Sequence, residues 1–585
     1  MATPTPAAHQ QDINEKPRED VIHLEQLASE NSSRDAESQL STGDEPMTFT
    51  KAMALVAMAF LWTGSQIPLY LYGGVPPYIY GDLGGLDRWT WFVLANLFAL
   101  GATCPFVGSL SDLFGRRWVA IGGATLLVIG NIITSTSHNM NTFIGGMAIA
   151  GIGAGINELT SLAVTSELAP TKKRGLYVSI LVFTIIPFCP SVLWGQLIAY
   201  YGSWRWIGLI CGVWAFIGLV MTAIFYHPPP RDMTVGMTRR EVLARIDYVG
   251  GFLSIGGFLM FMMALQWGGY QYKWGSAHVI ATLVIGVVMI AAFCVYEKFF
   301  AKYPMFPGAI AKEPRILLLT LVITFISGSN FFSVLMFWPT QSYNVYGHDP
   351  WEVGKRNLCL GFPILAGACI GLALLSFTKG RIRELMLVSC CVMTAGGGAF
   401  AALNRDNLWL SYILLIISGL GIGGIVVPAS IISTIICPDE LIATVAALTL
   451  SIRVLGGAIG YAIYYNVFVQ KFTVNAVKYL GAACYELGIT KPEEIATVIG
   501  ITGTGLLPTL KELPQVNSTE AYDKLVYAGQ IAYAKSYPYV YYVSLAFGGV
   551  SIICALFLGD IKKYMTDHIA VHMDKGTHRH EEDKH

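Results

Sequence analysis

Charge is what this sequence has least of. Only 13% of its 585 residues are Asp, Glu, Lys or Arg, against 54% hydrophobic residues, and its mean hydropathy is +0.54. A soluble domain carries about 25% charged residues, and a single core stops growing near ~300 residues. One large soluble fold is thereby excluded, and repeated bilayer spans account for both numbers. Net charge is absent as well, with 38 basic and 38 acidic residues, so nothing draws the chain to nucleic acid. A disulfide framework is missing: most of the 11 cysteines, among them Cys104, Cys211 and Cys390, sit inside apolar runs as small hydrophobes. No CxxC, HExxH or nucleophile–base constellation occurs, so neither metal, cofactor nor enzyme activity is expected. Residues 1–46 are polar and lack the apolar core of a signal peptide, and 1–48 reads as a disordered tail.

What is present is a series of apolar runs, each near the ~20 residues that cross a hydrocarbon core as a helix. They cover 52–71, 89–110, 118–137, 143–165, 176–200, 206–226, 248–267, 278–296, 316–338, 358–377, 385–403, 408–436, 441–469 and 539–558. These 14 spans predict an all-α polytopic membrane protein. Basic residues of the short loops divide roughly 16 to 6 in favour of one side, with Arg116, Arg117, Lys172, Lys173 and Arg174 among the 16. Positive loops stay inside, which puts both termini in the cytosol. Tyr and Trp residues such as Tyr200, Tyr201 and Trp206 gather at outer span ends as an interfacial belt, and Trp62 or Tyr70 could instead line a path for substrate. Asn517 opens a glycosylation sequon on the outer side.

The two ends of the chain repeat each other. Gly151, Gly153 and Gly155 recur as Gly419, Gly421 and Gly423 at an offset of 268, and Pro170 recurs as Pro438. Gly115-Arg116 recurs as Gly380-Arg381 at 265, as does Gly195 as Gly460. Spans 1–6 therefore match spans 9–14, and an even count per half makes the halves parallel. The expected divisions are a tail at 1–48, a six-helix bundle at 49–227, and cytoplasmic loops with two inserted helices at 228–314. A second six-helix bundle follows at 315–559, with a long outer loop at 471–537, and a cytoplasmic tail at 560–585.

The loop after span 2 reads Gly108-Ser-Leu110-Ser-Asp112-Leu-Phe-Gly115-Arg116-Arg117. It resembles the signature G-x-L-x-D-x-x-G-R-[RK] of the major facilitator superfamily. Gly115 suits a tight turn, and Asp112 can accept a charge-assisted bond from a neighbouring Arg. The group reads as a cytoplasmic latch between the halves. Tyr80-Gly-Asp-Leu-Gly-Gly-Leu, Cys437-Pro-Asp-Glu-Leu and the run from Ser451 to Asn466 further resemble fungal trichothecene efflux pumps, relatives of siderophore-iron transporters. That resemblance implies 14 spans in two bundles plus two inserted helices, a proton-driven cycle, and bulky hydrophobic substrates. Two departures stand out. Met147 occupies the place of the Arg in the R-x-x-Q-G pattern of span 4, and Pro187 to Gly195 breaks the G-P-x-x-G-G pattern of span 5.

Two ionisable residues lie deep in spans, Glu158 in span 4 and Arg453 in span 13. At 1.5 Å per residue they sit about 15 and 18 Å from the cytoplasmic side. A charge there costs at least ~2.5 kcal/mol unless paired or watered. Burial favours the neutral acid and a nearby guanidinium favours the carboxylate. Glu158 making and breaking an approach to Arg453 would thus couple protonation to access. Gln66, Asn157, Asn330 and Trp338 are the candidate cavity residues, and the Gly runs at 419–424 and 456–460 the candidate rocking sites. The leading expectation is a monomeric, proton-coupled exporter of hydrophobic small molecules (toxin, secondary metabolite or drug) in the plasma membrane. Vacuolar or vesicle membranes are the alternative location, and ferric-siderophore uptake or a non-transporting nutrient sensor the alternative functions.

Overall fold

The computed structural model describes residues 48–565, apart from 86–87, 89, 229–240, 242–245, 270, 303–304, 307–311, 505–506, 515 and 517. The expected tail before Thr48, most of the one after Asp560, and Asn517 lie outside the described residues. The first part of the chain holds α1 (Phe49–Gly73), α2 (Pro76–Leu83), α3 (Thr90–Phe114), α4 (Arg116–Thr136) and α5 (Met140–Leu168). It continues with α6 (Arg174–Phe183), α7 (Ser191–Tyr201) and α8 (Arg205–Phe225). Then come α9 (Tyr248–Trp267) and α10 (Ala277–Phe299). The last part holds α11 (Pro314–Tyr346), α12 (Pro350–Phe377), α13 (Ile382–Ala399), α14 (Leu408–Ile435), α15 (Ile442–Glu486), α16 (Pro492–Thr504) and α17 (Thr519–Leu556).

Local chemistry marks the helix starts. Pro stands in the first turn of α2, α11 and α12, where its missing N–H costs nothing. Asn139 accepts from the Thr142 amide at 2.8 Å and Asp349 from the Glu352 amide at 3.0 Å, each satisfying an amide with no partner inside the helix. Gly115 and its repeat mate Gly380 both adopt left-handed backbone, with φ of 83° and 85°. Each turns the chain between two helices at a place where a Cβ would be strained.

Among the described residues, thirteen helices are long and apolar enough to cross a membrane. The fourteenth expected span, 176–200, is not one helix. Pro187 and Pro190 split it into α6 and α7, joined by a 3-10 turn at Ile186–Phe188. Proline removes a backbone donor and clashes with the preceding turn. Both pieces pack against α12, so together they run beside a single helix. The expected outer loop at 471–537 also differs from the structure. α15 runs on to Glu486, α17 begins at Thr519, and α16 lies between them. Charged and polar residues interrupt the hydropathy there, but the helical backbone needs no lipid to continue.

Helix contacts come in two matching sets. α3 and α4 each pack on α5, as α12 and α13 each pack on α14. α1 packs on α8, as α11 packs on α17. Across the centre α3 meets α15, and α12 meets α6 and α7. The repeated glycines explain the close approach. A Cβ on Gly151 would lie 2.3 Å from the Asn96 carbonyl oxygen in α3, and one on Gly423 would lie 2.0 Å from that of Ile364 in α12. Gly153 and Gly421 face α4 and α13 in the same way. The runs at 419–424 and 456–460, expected as rocking sites, therefore serve as notches for tight packing. Between the halves, α9 touches both α3 and α15, while only 11% of α10's apolar window is buried, which leaves α10 facing lipid.

Candidate substrate cavity and buried ion pair

Glu158 sits on α5 and Arg453 on α15, 295 residues apart, and their side chains meet: Arg453 Nη2 donates to Glu158 Oε1. The Glu side chain is 4% exposed and the Arg 11%. Helix packing fixes both. Gly155 lets α5 close on Leu100 of α3, and Gly328 lets α11 close on the Arg453 carbonyl, where a Cβ would come within 2.1 Å. The pair is incompletely satisfied. Arg453 Nε is buried with no hydrogen-bond partner among the described residues. In so dry a place, removing one partner would leave the other charge buried, at a cost of roughly 3–5 kcal/mol.

Both residues line a cavity of about 140 Å³ between the two sets of helices. Trp62, Gln66 and Tyr70 of α1 contribute, and the Tyr70 hydroxyl donates to Gln66 Oε1 at 3.1 Å. Phe188, Phe331, Phe332 and Val426 supply apolar wall. Such a lining, mostly apolar with a few convergent polar groups, is that of a small-molecule site. A neighbouring cavity of about 200 Å³ shares Leu97, Phe332 and Pro339 with it.

Of the four expected cavity residues, Gln66 alone lines the central space. Asn157 turns toward α4, where its amide fits a bond to the Ala120 carbonyl at 3.0 Å and one from the Ala124 amide at 3.2 Å once its O and N are assigned by their neighbours. Asn330 accepts from the Tyr464 hydroxyl at 3.0 Å, inside the α11–α15 packing. Trp338 is fully buried against Tyr346 and Phe400. These three are packing residues. Polar character in an apolar run cannot tell which face of a helix a residue occupies.

The expected latch is distributed differently from its motif. Arg116 is buried and bonds Glu167 at 2.6 Å and Ser111 at 2.9 Å, both within the first half. Arg117 donates to the Ala223 carbonyl at 2.8 Å, also within that half. The Asp112 side chain lies outside the described part of the structure. Gly108 does reach across: a Cβ there would lie 2.8 Å from that of Ala447 in α15. A polar link across this face is made by Arg174, which donates to the Thr434 carbonyl at 2.9 Å and to Asp439 at 3.4 Å. In the sequence Arg174 closes a basic triplet and reads as a topology signal, and nothing marks it as buried.

A family model described as fungal trichothecene efflux pump matches residues 53–584. The chain belongs to the fungal trichothecene efflux pump family. A trichothecene efflux pump of Fusarium sporotrichioides is 27% identical over 526 residues, covering 88% of this chain and 86% of the relative. An MFS-type transporter of Penicillium citrinum is 28% identical over 532 residues, covering 90% and 87%. Among solved structures, the proton:xylose symporter XylE aligns with a TM-score of 0.52 at 14% identity, over 89% of this chain and 98% of that one. That likeness is one of fold. The helix packing of this efflux pump family member is the major facilitator architecture that its sequence predicts.

Proposed function

We propose that this chain exports hydrophobic small molecules (a fungal toxin, secondary metabolite or drug) in exchange for protons, with the Glu158–Arg453 pair as the coupling element. The observation that carries this reading is a buried ion pair joining the two halves in the wall of a largely apolar cavity. Rocking the halves apart would separate the charges. Glu158, then alone and poorly solvated, would take a proton. Closing on Arg453 would expel it. Substrate would occupy the space between Trp62, Gln66 and Phe331, where apolar surface provides affinity and Gln66 provides orientation. The family membership, and the efflux functions named for its relatives, support the direction. The basic loops support an orientation with both termini in the cytosol and the 115–117 turn on the inner side, and we place the protein in the plasma membrane, where export clears the cell. The protein acts as a monomer, each chain holding its own cavity.

The test compares accumulation of a labelled trichothecene and of a labelled ferric siderophore in cells with and without the gene. Export predicts lower toxin content with the gene, and loss of that difference in Glu158→Gln at equal protein level. Higher toxin content, or iron-dependent gain of siderophore, would overturn the reading.

A further inference from the structure

The neighbouring cavity of about 200 Å³ has a chemistry of its own. Its wall includes Tyr80, Tyr343, Tyr461, Phe468, Tyr533 and Tyr537, and none of its described lining residues is charged. The rings form stacks: Phe468 lies 4.7 Å from Tyr537 at 30°, and Tyr461 lies 5.7 Å from Tyr465 at 22°. Part of this wall belongs to the segment expected to be loop. Tyr533 and Tyr537 stand on the helical extension of α17, and Phe472, on that of α15, packs 4.3 Å from Tyr533. The Tyr533 hydroxyl lies 3.1 Å from both the Thr502 and Gly503 carbonyls, which ties α16 down as a cap beside the cavity.

Phe332 divides this vestibule from the central cavity, since it lines both. Its ring fills a notch that exists only because residue 457 is Gly: a Cβ there would lie 2.0 Å from the Phe332 ring. On the vestibule side the Tyr343 ring packs edge-on against His348, and its hydroxyl has no hydrogen-bond partner among the described residues. Tyr343 lines the vestibule, so its hydroxyl can donate to an acceptor bound there.

We propose that the vestibule is a second binding station, for uncharged polycyclic molecules carrying oxygen acceptors, loaded separately from the central cavity. Flat aromatic walls favour ring systems through stacking. The absence of a charged lining residue disfavours ions, which could not recover their hydration. Tyr343 supplies the orienting hydrogen bond. The station concerns binding alone and does not depend on the direction or coupling of transport.

The test uses the full chain in lipid nanodiscs without a gradient, and an uncharged coumarin bearing a diazirine as the probe. After irradiation, crosslinked peptides are mapped with and without excess unlabelled coumarin. Competable labelling is expected in 336–344 and 461–468 as well as in central peptides containing Gln66 or Glu158. Tyr343→Phe, which removes only an unbonded hydroxyl, should lower vestibule labelling about five-fold. Thr340→Trp, which fills the space, should lower it at least ten-fold. Both should leave central labelling within two-fold, and Tyr343→Phe should leave the melting temperature unchanged. Vestibule labelling retained while central labelling is lost in Val426→Trp, which fills the central cavity and touches none of the vestibule wall, supports two stations. Absence of competable vestibule labelling, or central and vestibule labelling falling together in the two vestibule variants, overturns the proposal.

Discussion

The two halves of this transporter share their glycine notches and differ in the build of the fifth crossing and in where charge is placed. In the first half the fifth crossing is broken at Pro187 and Pro190 into α6 and α7. In the second, the same positions at an offset of 265 are Ile452 and Leu455, and α15 is unbroken for 45 residues. Charge is divided unequally as well. At an offset of 268, Glu158 corresponds to Val426, and at 265 Arg453 corresponds to Phe188. All four line the central cavity. Duplication thus supplied two equivalent wall positions twice, and each pair now holds one charge and one apolar residue. A symmetric pocket with four charges would carry two desolvated pairs. Holding a single pair confines that desolvation cost to one place.

The first way to break this comparison is to fill a shared notch. Gly151→Leu and Gly423→Leu should each destabilise by about 3 kcal/mol, because the new side chain meets backbone carbonyls that cannot withdraw. Gly145→Leu, where nothing lies within 4 Å, should not destabilise, since Leu is the better helix former by up to about 1 kcal/mol. Thermal melting in detergent reads both. If Gly423→Leu were as harmless as Gly145→Leu, the repeat would not be a packing repeat.

Next in size is the Arg174 link between halves. Arg174→Ala should free the Thr434 carbonyl and remove one bond from Asp439, loosening that face by about 1–2 kcal/mol. The adjacent Cys437 is buried, so its labelling by a membrane-permeant maleimide should rise roughly ten-fold. An unchanged labelling rate would mean that α3 and α15 hold the face closed without Arg174. A smaller effect is expected from repairing the broken crossing. Pro187→Ala with Pro190→Ala should make α6–α7 resemble α15, raising the melting temperature by about 2–4 °C while slowing turnover several-fold. Faster turnover would show that the break is incidental.

The smallest effect concerns His348, in the turn between α11 and α12. Burial, aided by the Arg356 guanidinium, lowers its pKa to about 4. A depressed imidazole favours the neutral form in the fold, so its contribution to stability is intact above about 6.5 and declines as pH falls toward 4. His348→Gln should flatten that acid decline by on the order of 1 kcal/mol and leave behaviour at pH 7.5 alone. An identical acid decline in the variant would mean that other groups set it.

Much of this was legible in the chain. Hydrocarbon demands long apolar helices, so spans show as runs. The notches show as glycines because nothing else fits. Glu158 and Arg453 stood out because lipid makes charge rare, and depth counted along each helix put them level. What stayed hidden depends on helix rotation. Asn157, Asn330 and Trp338 have the right chemistry and face the wrong way. Arg174 hid within a basic triplet. The extended α15 and α17 were missed because hydropathy measures contact with lipid, whereas their continuation is held by Phe468, Phe472, Tyr533 and Tyr537 packing on each other.

The central claim is that protonation of Glu158 is tied to its contact with Arg453. It is tested most directly in proteoliposomes with an imposed pH gradient, by following accumulation of the exported substrate above its equilibrium level. The wild-type protein should concentrate substrate several-fold, and Glu158→Gln should reach equilibrium and stop there while still exchanging substrate across the bilayer. Uphill accumulation by Glu158→Gln at the wild-type level would contradict the account.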